Sequence, residues 1–433
     1  MSGLVVPAFR LAYSAVLYAY MPIALLRLFW RGVGNPHYWS RIGERFGLGP
    51  PISPRGDHGQ AFWVHAVSVG EVQAALPLIR SLLNDYPRAR VVVTTTTPTG
   101  MARVEGALGT QVIHRYAPYD LLGATRRFLD RVDPQLAVIV ETEIWPNLID
   151  RCRQREIPVV FANCRLSERS AAGYRRFKPL IEWTLSAVSA VAAQSTEDAR
   201  RLVELGASES IVEVTGSTKF DVALSASIGE AGAALRRSWG VDRSVWIAAS
   251  THEGEEEVVL DAFSRVREQI ENCLLVLVPR HPERFARAAA HARRHGYAVS
   301  LRSEPSGGVP DVFIGDTMGE LPVFYAASDV AFVGGSLVDV GGHNMLEPAA
   351  LGLPVLFGPH LRNFEEISER LCDVEAARVV HNASDLGDEV VAHLQDANRR
   401  HGAGEKGRAF VEQNRGANQR LMSLVRNTLK IED

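Results

Sequence analysis

From Ala61 onward the chain alternates short apolar runs with amphipathic stretches of helical period, and that alternation leaves few folds open. AFWVHAVSV, RVVVTTTT, QLAVIVE, IPVVFAN and SAVAAQS read as strands, and EVQAALPLIRSLL, DLLGATRRFL and TEDARRLVELG as helices. Strands alternating with helices predict an α/β fold whose parallel sheet is covered on both faces. The pattern weakens over residues 221–243, then resumes with VWIAAS, LLVLVPR, YAVSLR, VFIG, VAFVGG, PVLFG and ARVVHN. At 433 residues the chain is too long for one ordinary core, so two Rossmann-like halves joined near residue 230 fit it best. In such sheets ligands sit beyond the C-terminal ends of the strands, so the residues following each strand are the ones to inspect.

The N-terminus departs from this pattern. Residues 11–26, LAYSAVLYAYMPIALL, carry no charge, with Arg10 before them and Arg27 and Arg31 after. Through Arg55 there are six arginines (10, 27, 31, 41, 45, 55) against the single acid Glu44. Basic residues rather than a small-residue cleavage site follow the apolar run, which argues against a signal peptide. The run is short for a span of about 20 residues, but counted from Met1 with Arg10 snorkelling it is long enough. The basic flank would hold the body on the cytoplasmic side. Membrane association is the expectation, spanning or interfacial, with a helix packed on the body as the alternative. The net charge of −3 gives no general affinity for nucleic acid. Cys152, Cys164, Cys273 and Cys372 form no CxxC pair, so neither disulfides nor a zinc site is expected.

In the first half, Ser68-Val69-Gly70-Glu71 follows a strand and opens a helix. Its N–H groups suit a substrate carboxylate or phosphate. Glu71 is a candidate general base, or a first-turn glutamate serving the helix dipole, which would depress its pKa unless burial opposes. Glu141-Thr142-Glu143-Ile144-Trp145-Pro146 follows QLAVIV; capping accounts for one carboxylate and leaves the other for function. Arg165, after IPVVFA, can hold a phosphate or carboxylate bidentately or lie on a solvated face. Lys219, in GSTKFD, can neutralise a leaving phosphate or be a surface lysine.

In the second half, Ser250-Thr251-His252 supplies small hydroxyls suited to phosphate. Pro279-Arg280-His281-Pro282 reads as a phosphate clamp, and the backbone of Asp316-Thr317-Met318-Gly319-Glu320 as a partner for a base edge. Residues 332–358, FVGGSLVDVGGHNMLEPAALGLPVLFG, read as strand, glycine-rich loop, helix and strand, with Asn344 as N-cap. Its N–H groups can take a phosphate, and Glu347 two vicinal hydroxyls. Together these describe a nucleotide-sugar site. GxGxxG and GxxxxGK[ST] are both absent, which leaves NAD binding and ATP hydrolysis without support.

HAVSVGE (65–71), ETEIWPNLI (141–149), NCRLSERS (163–170), GSTKFD (216–221), PRHPERF (279–285), GDTMGELP (315–322) and GGSLVDVGGHNMLEPAALGLPVLFGP (334–359) together resemble the 3-deoxy-D-manno-octulosonic acid (Kdo) transferases of lipopolysaccharide synthesis. The resemblance covers nearly the whole chain. It implies a GT-B fold, two Rossmann-like domains facing a cleft, and an N-terminal membrane-associated helix. The implied division is an anchor over 1–30, an acceptor domain over 31–228, a donor domain over 229–412, and a helix over 413–433 packing back on the first domain. It implies inverting, metal-independent transfer of Kdo from CMP-Kdo, as substrate rather than cofactor, to a lipid A precursor at the cytoplasmic face of the inner membrane. Glu71 matches the base, Glu141 and Lys219 the transition-state stabilisers. Pro279, Arg280, Met318, Gly319, Glu320, Asn344, Met345, Leu346 and Glu347 match CMP-binding positions. Ser68, Gly70, Arg165, Ser250 and His281 are further candidates for the Kdo carboxylate or the acceptor. The pattern departs at Cys164, where alanine is usual, and at Ser217-Thr218, where Asn-Leu or Asn-Met is usual; Arg165 and Lys219 themselves remain. The alternatives are another GT-B enzyme, such as a nucleotide-sugar 2-epimerase, and a non-catalytic membrane-anchored binding protein.

Overall fold

The computed structural model describes residues 2–52, 59–222, 224–305, 307–362 and 364–429, so Arg55 of the basic N-terminal flank lies outside the described residues. The chain divides into two compact units, residues 1–221 with 415–433, and residues 222–414. The break follows Asp221 rather than residue 228.

Unit one is built on seven parallel strands: β1 (Ala61–His65), β2 (Arg90–Thr95), β3 (Ile113–Tyr116), β4 (Leu136–Val140), β5 (Val159–Cys164), β6 (Ala190–Ala193) and β7 (Val212–Val214), in the order β3-β2-β1-β4-β5-β6-β7. Alternate side chains of one strand enter different cores. Phe62 and Val64 pack on one face, Trp63 on the other. Burial on both faces is why these strands read as continuous apolar runs. The last helix, Ala417–Leu429, places Leu421, Met422 and Val425 in the same core as Phe62 and Val64. The Asp221 carboxylate holds the start of that helix, accepting from the N–H groups of Gly416 at 2.7 Å and Asn418 at 2.6 Å.

The N-terminal helix runs Ser2–Gly34, four residues past the expected end. Its stretch from Pro7 to Gly34 is long and apolar enough to cross a membrane. It is nonetheless docked on unit one along one stripe. The Tyr13 hydroxyl donates to Asp120 Oδ2 at 2.8 Å, Arg10 pairs with Asp150 at 2.6 Å, and Asn147 Nδ2 donates to Ser14 Oγ at 3.1 Å. The opposite stripe is apolar and bare, with Leu11, Val16, Ile23, Leu26 and Trp30 all more than half exposed.

Unit two repeats the plan with β8 (Ser244–Thr251), β9 (Cys273–Pro279), β10 (Val299–Leu301), β11 (Val312–Ile314), β12 (Val330–Val333), β13 (Val355–Phe357) and β14 (Ala377–Val379), all parallel, in the order β10-β11-β9-β8-β12-β13-β14. Each sheet reverses direction of growth once, between β1 and β4 in unit one and between β8 and β12 in unit two. Those switch points are where this class of fold holds ligands.

Candidate active site

At the switch point of unit one, the helix Val69–Asp85 begins directly after β1. Ser68 caps it, its hydroxyl oxygen accepting from the Glu71 N–H at 3.3 Å. Glu71 reaches back, accepting from the Val67 N–H at 2.6 Å and the Ser68 hydroxyl at 3.0 Å. This is a capping-box arrangement, so Glu71 does serve the helix start. It does so inside a buried pocket, and burial wins over the helix start: the carboxyl is pushed up to about 7, with Glu141 and Glu143 adding to the rise against the Val67 and Ser68 hydrogen bonds. Two donors leave a carboxylate with unused lone pairs, so the group can still accept a proton from a hydroxyl.

Glu141 sits at the end of β4 with φ 62°, and Asn163 at the end of β5 with φ 55°. Non-glycine residues held in the left-handed region at neighbouring strand ends store local strain of the kind found at functional sites. Burial raises the Glu141 carboxyl, and the charges of Lys219 and Arg165 oppose that rise. Lys219 lies in the turn Thr218–Phe220, which is pinned from two sides. The Thr218 N–H donates to Asn163 Oδ1 at 3.0 Å and its hydroxyl to the Ala74 carbonyl at 3.1 Å. The threonine that departs from the usual family pattern thus ties the lysine segment to the helix carrying Glu71.

Neither glutamate of the ETE segment caps the following helix, Pro146–Gln154. Asp120 does so from the loop after β3, accepting from the N–H groups of Asn147 at 3.1 Å and Leu148 at 2.7 Å. Glu143 instead accepts from the Trp145 indole N–H at 2.7 Å, and burial raises its carboxyl.

At the switch point of unit two, the glycine loop is not an open anion cradle. The buried Glu255 carboxylate accepts from the N–H groups of His252, Gly335, Ser336 and Leu337, at 2.8, 2.7, 3.0 and 2.9 Å. Four donors fill it, and three of them are loop N–H groups that the glycine pattern offers to a phosphate. Adjacent to this knot, His252 and His343 approach Nε2 to Nε2 at 2.8 Å with nearly parallel rings. Burial pushes His343 down to about 4 and also lowers His252, so at neutral pH both rings are uncharged and one donates to the other. The His281 ring meets His252 edge-on at 5.3 Å. Arg280 and His281 are exposed beyond β9, and Ser250, with φ 57°, is the last residue but one of β8.

Asn344 is not the helix cap. The helix there is only Leu346–Ala350, with Met345 in the cap position. Asn344 bonds two and three residues ahead, its Oδ1 accepting from the Leu346 N–H at 3.1 Å while its Nδ2 donates to Glu347 Oε1 at 3.0 Å. Five residues carry little dipole, so the ligand-binding value of this segment lies in the Asn344–Glu347 pair rather than in a helix end. Beyond β11, Glu320 is held bidentately by Arg302, and Gly319, with φ 87°, makes the turn that exposes Met318. Among the described residues no group of three His, Cys, Asp or Glu side chains is arranged to hold a metal ion.

The reading from sequence missed Glu255, Asp120 and the His252–His343 pair. Glu255 looks like an ordinary first-turn acid in EGEEE, and only the return of the chain at residues 335–337 reveals its partners.

Comparison with known proteins fits this geometry. Residues 40–222 match the family described as 3-deoxy-D-manno-octulosonic-acid transferase (kdotransferase). A 3-deoxy-D-manno-octulosonic acid transferase of Haemophilus influenzae is 40% identical over 97% of this chain and 99% of its own length. Another, from Bordetella pertussis, is 38% identical over 85% of this chain and 87% of its own. The solved UDP-GlcNAc 2-epimerase of Neisseria meningitidis covers 85% of this chain and 99% of that one with a TM-score of 0.54; at 14% identity it speaks for the GT-B fold alone. With that likeness running through both units, the chain belongs to the 3-deoxy-D-manno-octulosonic acid transferase family of glycosyltransferases.

Proposed function

We propose that this chain transfers Kdo from CMP-Kdo to the primary hydroxyl of a lipid A precursor, by a single displacement that inverts the anomeric centre without a metal ion. The observation that carries the reading is Glu71: a buried carboxyl at the switch point, raised to about 7 and still able to accept a proton. It takes the hydroxyl proton as the oxygen attacks the anomeric carbon, and the bond to the CMP phosphate breaks. Glu141 faces the oxocarbenium character that develops, and Lys219 the negative charge leaving with CMP. The first-turn N–H groups of Val69 and Gly70, which have no intrahelical partner, suit the Kdo carboxylate. On the donor side, Arg280 takes the phosphate, the Met318–Glu320 turn the base edge, and Glu347 the ribose hydroxyls.

The N-terminal helix lies in the membrane interface at the cytoplasmic face of the inner membrane. Its docked stripe bonds to Asp120, Asn147 and Asp150, and a spanning helix would draw those groups into hydrocarbon. Its bare apolar stripe faces the lipid.

The test is mass spectrometry of the product formed by the purified full chain from CMP-Kdo and the lipid acceptor in the presence of EDTA. The expected product is the acceptor heavier by one or more Kdo residues, which also counts the sugars added. CMP-Kdo left intact beside unmodified acceptor overturns the reading.

A further inference from the structure

The turn that carries Lys219 is held by the last helix of the chain, whose Gly416 lies 195 residues beyond Asp221. A lysine acts through a flexible four-carbon stem, so the reach of its ammonium depends on how firmly its backbone is fixed. Residues 215–221 are fixed from two sides. The Thr218 N–H and hydroxyl bond to Asn163 and to the Ala74 carbonyl. The remaining ties come from the helix Ala417–Leu429. Arg420 Nε donates to the Thr215 carbonyl at 2.8 Å, and the Asp221 carboxylate takes the Gly416 and Asn418 N–H groups, one on each oxygen. N–H groups at a helix start have no intrahelical partner, and a carboxylate there also meets the positive end of the dipole. Asp221 therefore locks the end of the Lys219 turn to the axis of that helix.

The same helix is tied to the helix that carries Glu71. Asn418 Nδ2 donates to Ser81 Oγ at 3.0 Å, and Arg426 pairs with Asp85 at 2.7 Å. Ser81 and Asp85 belong to Val69–Asp85, as does Ala74, which receives the Thr218 hydroxyl. Leu421, Met422 and Val425 seat the last helix in the core beside Phe62 and Val64, and close packing keeps it from sliding. One rod thus holds both the segment of Glu71 and the segment of Lys219. Lys219 serves the strand-end pocket, since its charge opposes the rise of the Glu141 carboxyl. The Asp221 carboxylate is engaged at the helix start, so it acts on that pocket through the backbone it holds.

We propose that Asp221 is a positioning residue for Lys219: by gripping the start of the last helix it fixes the Lys219 turn relative to the helix of Glu71, and it serves the transfer step rather than substrate binding. The proposal rests on the reading that Lys219 meets the charge leaving with CMP. The test is a double-mutant cycle on Kdo transfer by the full chain, with kcat and the KM for CMP-Kdo measured at saturating acceptor. Asp221→Asn keeps one acceptor of the two, and kcat should fall about tenfold while KM stays within about twofold. Asp221→Ala keeps neither and should fall further. Lys219→Gln should lower kcat by about 10²–10³-fold. Asp221→Asn added to Lys219→Gln should cost nothing more, because misplacing an absent ammonium has no effect. Arg426→Gln cuts the ion pair to Asp85 on the same helix away from the turn, and it should leave kcat unchanged. If Asp221→Ala does not fold, Arg420→Gln, which releases the Thr215 carbonyl alone, enters the same cycle in its place. A loss that multiplies with that of Lys219→Gln, or an equal loss in Arg426→Gln, overturns the proposal and leaves the role of Lys219 standing. An unimpaired Lys219→Gln removes that role and this proposal with it, without touching Glu71.

Discussion

Glu71 in unit one and Glu255 in unit two occupy matching places, each in the first turn of the helix that follows a strand at its sheet's switch point. They do opposite work. Glu255 accepts four backbone N–H groups and ties β8 to the loop after β12. Glu71 accepts two hydrogen bonds and shares its pocket with two other carboxylates, so burial raises it to about 7. The number of donors separates the roles: a carboxylate with four acceptor positions filled is an anchor, and one with positions to spare is a reagent.

The sharpest way to break this contrast is to neutralise each in turn. Glu71→Gln keeps the shape and removes the base, so Kdo transfer should fall by about 10²–10⁴-fold, the usual contribution of general-base catalysis, while CMP-Kdo binding survives. Steady-state rates with purified protein check this; undiminished transfer removes Glu71 as the base. Glu255→Gln should show the reverse pattern. The amide nitrogen cannot accept, and it confronts N–H groups that have no other partner. A loss of about 3 kcal/mol in unfolding free energy is expected, with weakened CMP-Kdo binding. Chemical denaturation and donor titration measure both, and an unaltered midpoint with unaltered donor affinity would show that the knot is not an anchor.

The two units also differ in how far they could be read from the sequence. The strands were legible because burial on both faces makes them apolar throughout, and the candidate residues were legible because they follow those strands. What stayed hidden were partnerships across long sequence separations: Asp120 capping the helix after residue 145, Glu255 gathering residues 335–337, and Tyr13 reaching Asp120. A glycine-rich loop advertises free N–H groups, but the sequence cannot say that a glutamate 80 residues earlier has taken them. The N-terminal apolar run has the same ambiguity. Its composition suits a span, while the stripe of Arg10, Tyr13 and Ser14 that docks it appears only when the helix is placed against its neighbours.

A smaller effect follows from the position of Glu71 near neutrality. As a base it must be ionised, and its carboxyl titrates at about 7. In the free enzyme kcat/KM should therefore fall about tenfold per pH unit below that value and level off above it. The pH profile of the rate at subsaturating donor and acceptor checks it. An acid limb near 4.5 would mean that the pocket is wetter than the buried geometry implies.

The smallest expected effect is on stability, and it separates the reagent from the anchor without measuring catalysis. Burial raises Glu71 from 4.5 to about 7 in the folded chain. Between those values the folded state holds a proton that the unfolded state releases, so stability is greatest below about pH 4.5 and is lost as pH rises to 7. Each pK unit is worth about 1.4 kcal/mol, so the net rise, in which the Val67 and Ser68 hydrogen bonds already offset part of the burial, corresponds to about 2–3 kcal/mol. Glu71→Gln cannot ionise, so relative to wild type it should gain that amount in denaturation at pH 8, and the gain should vanish near pH 4.5. Any change in hydrogen bonding caused by the amide is constant across this range and cancels in the difference. A gain of equal size at both pH values would place the ionised Glu71 in a solvated site and dissolve its contrast with Glu255.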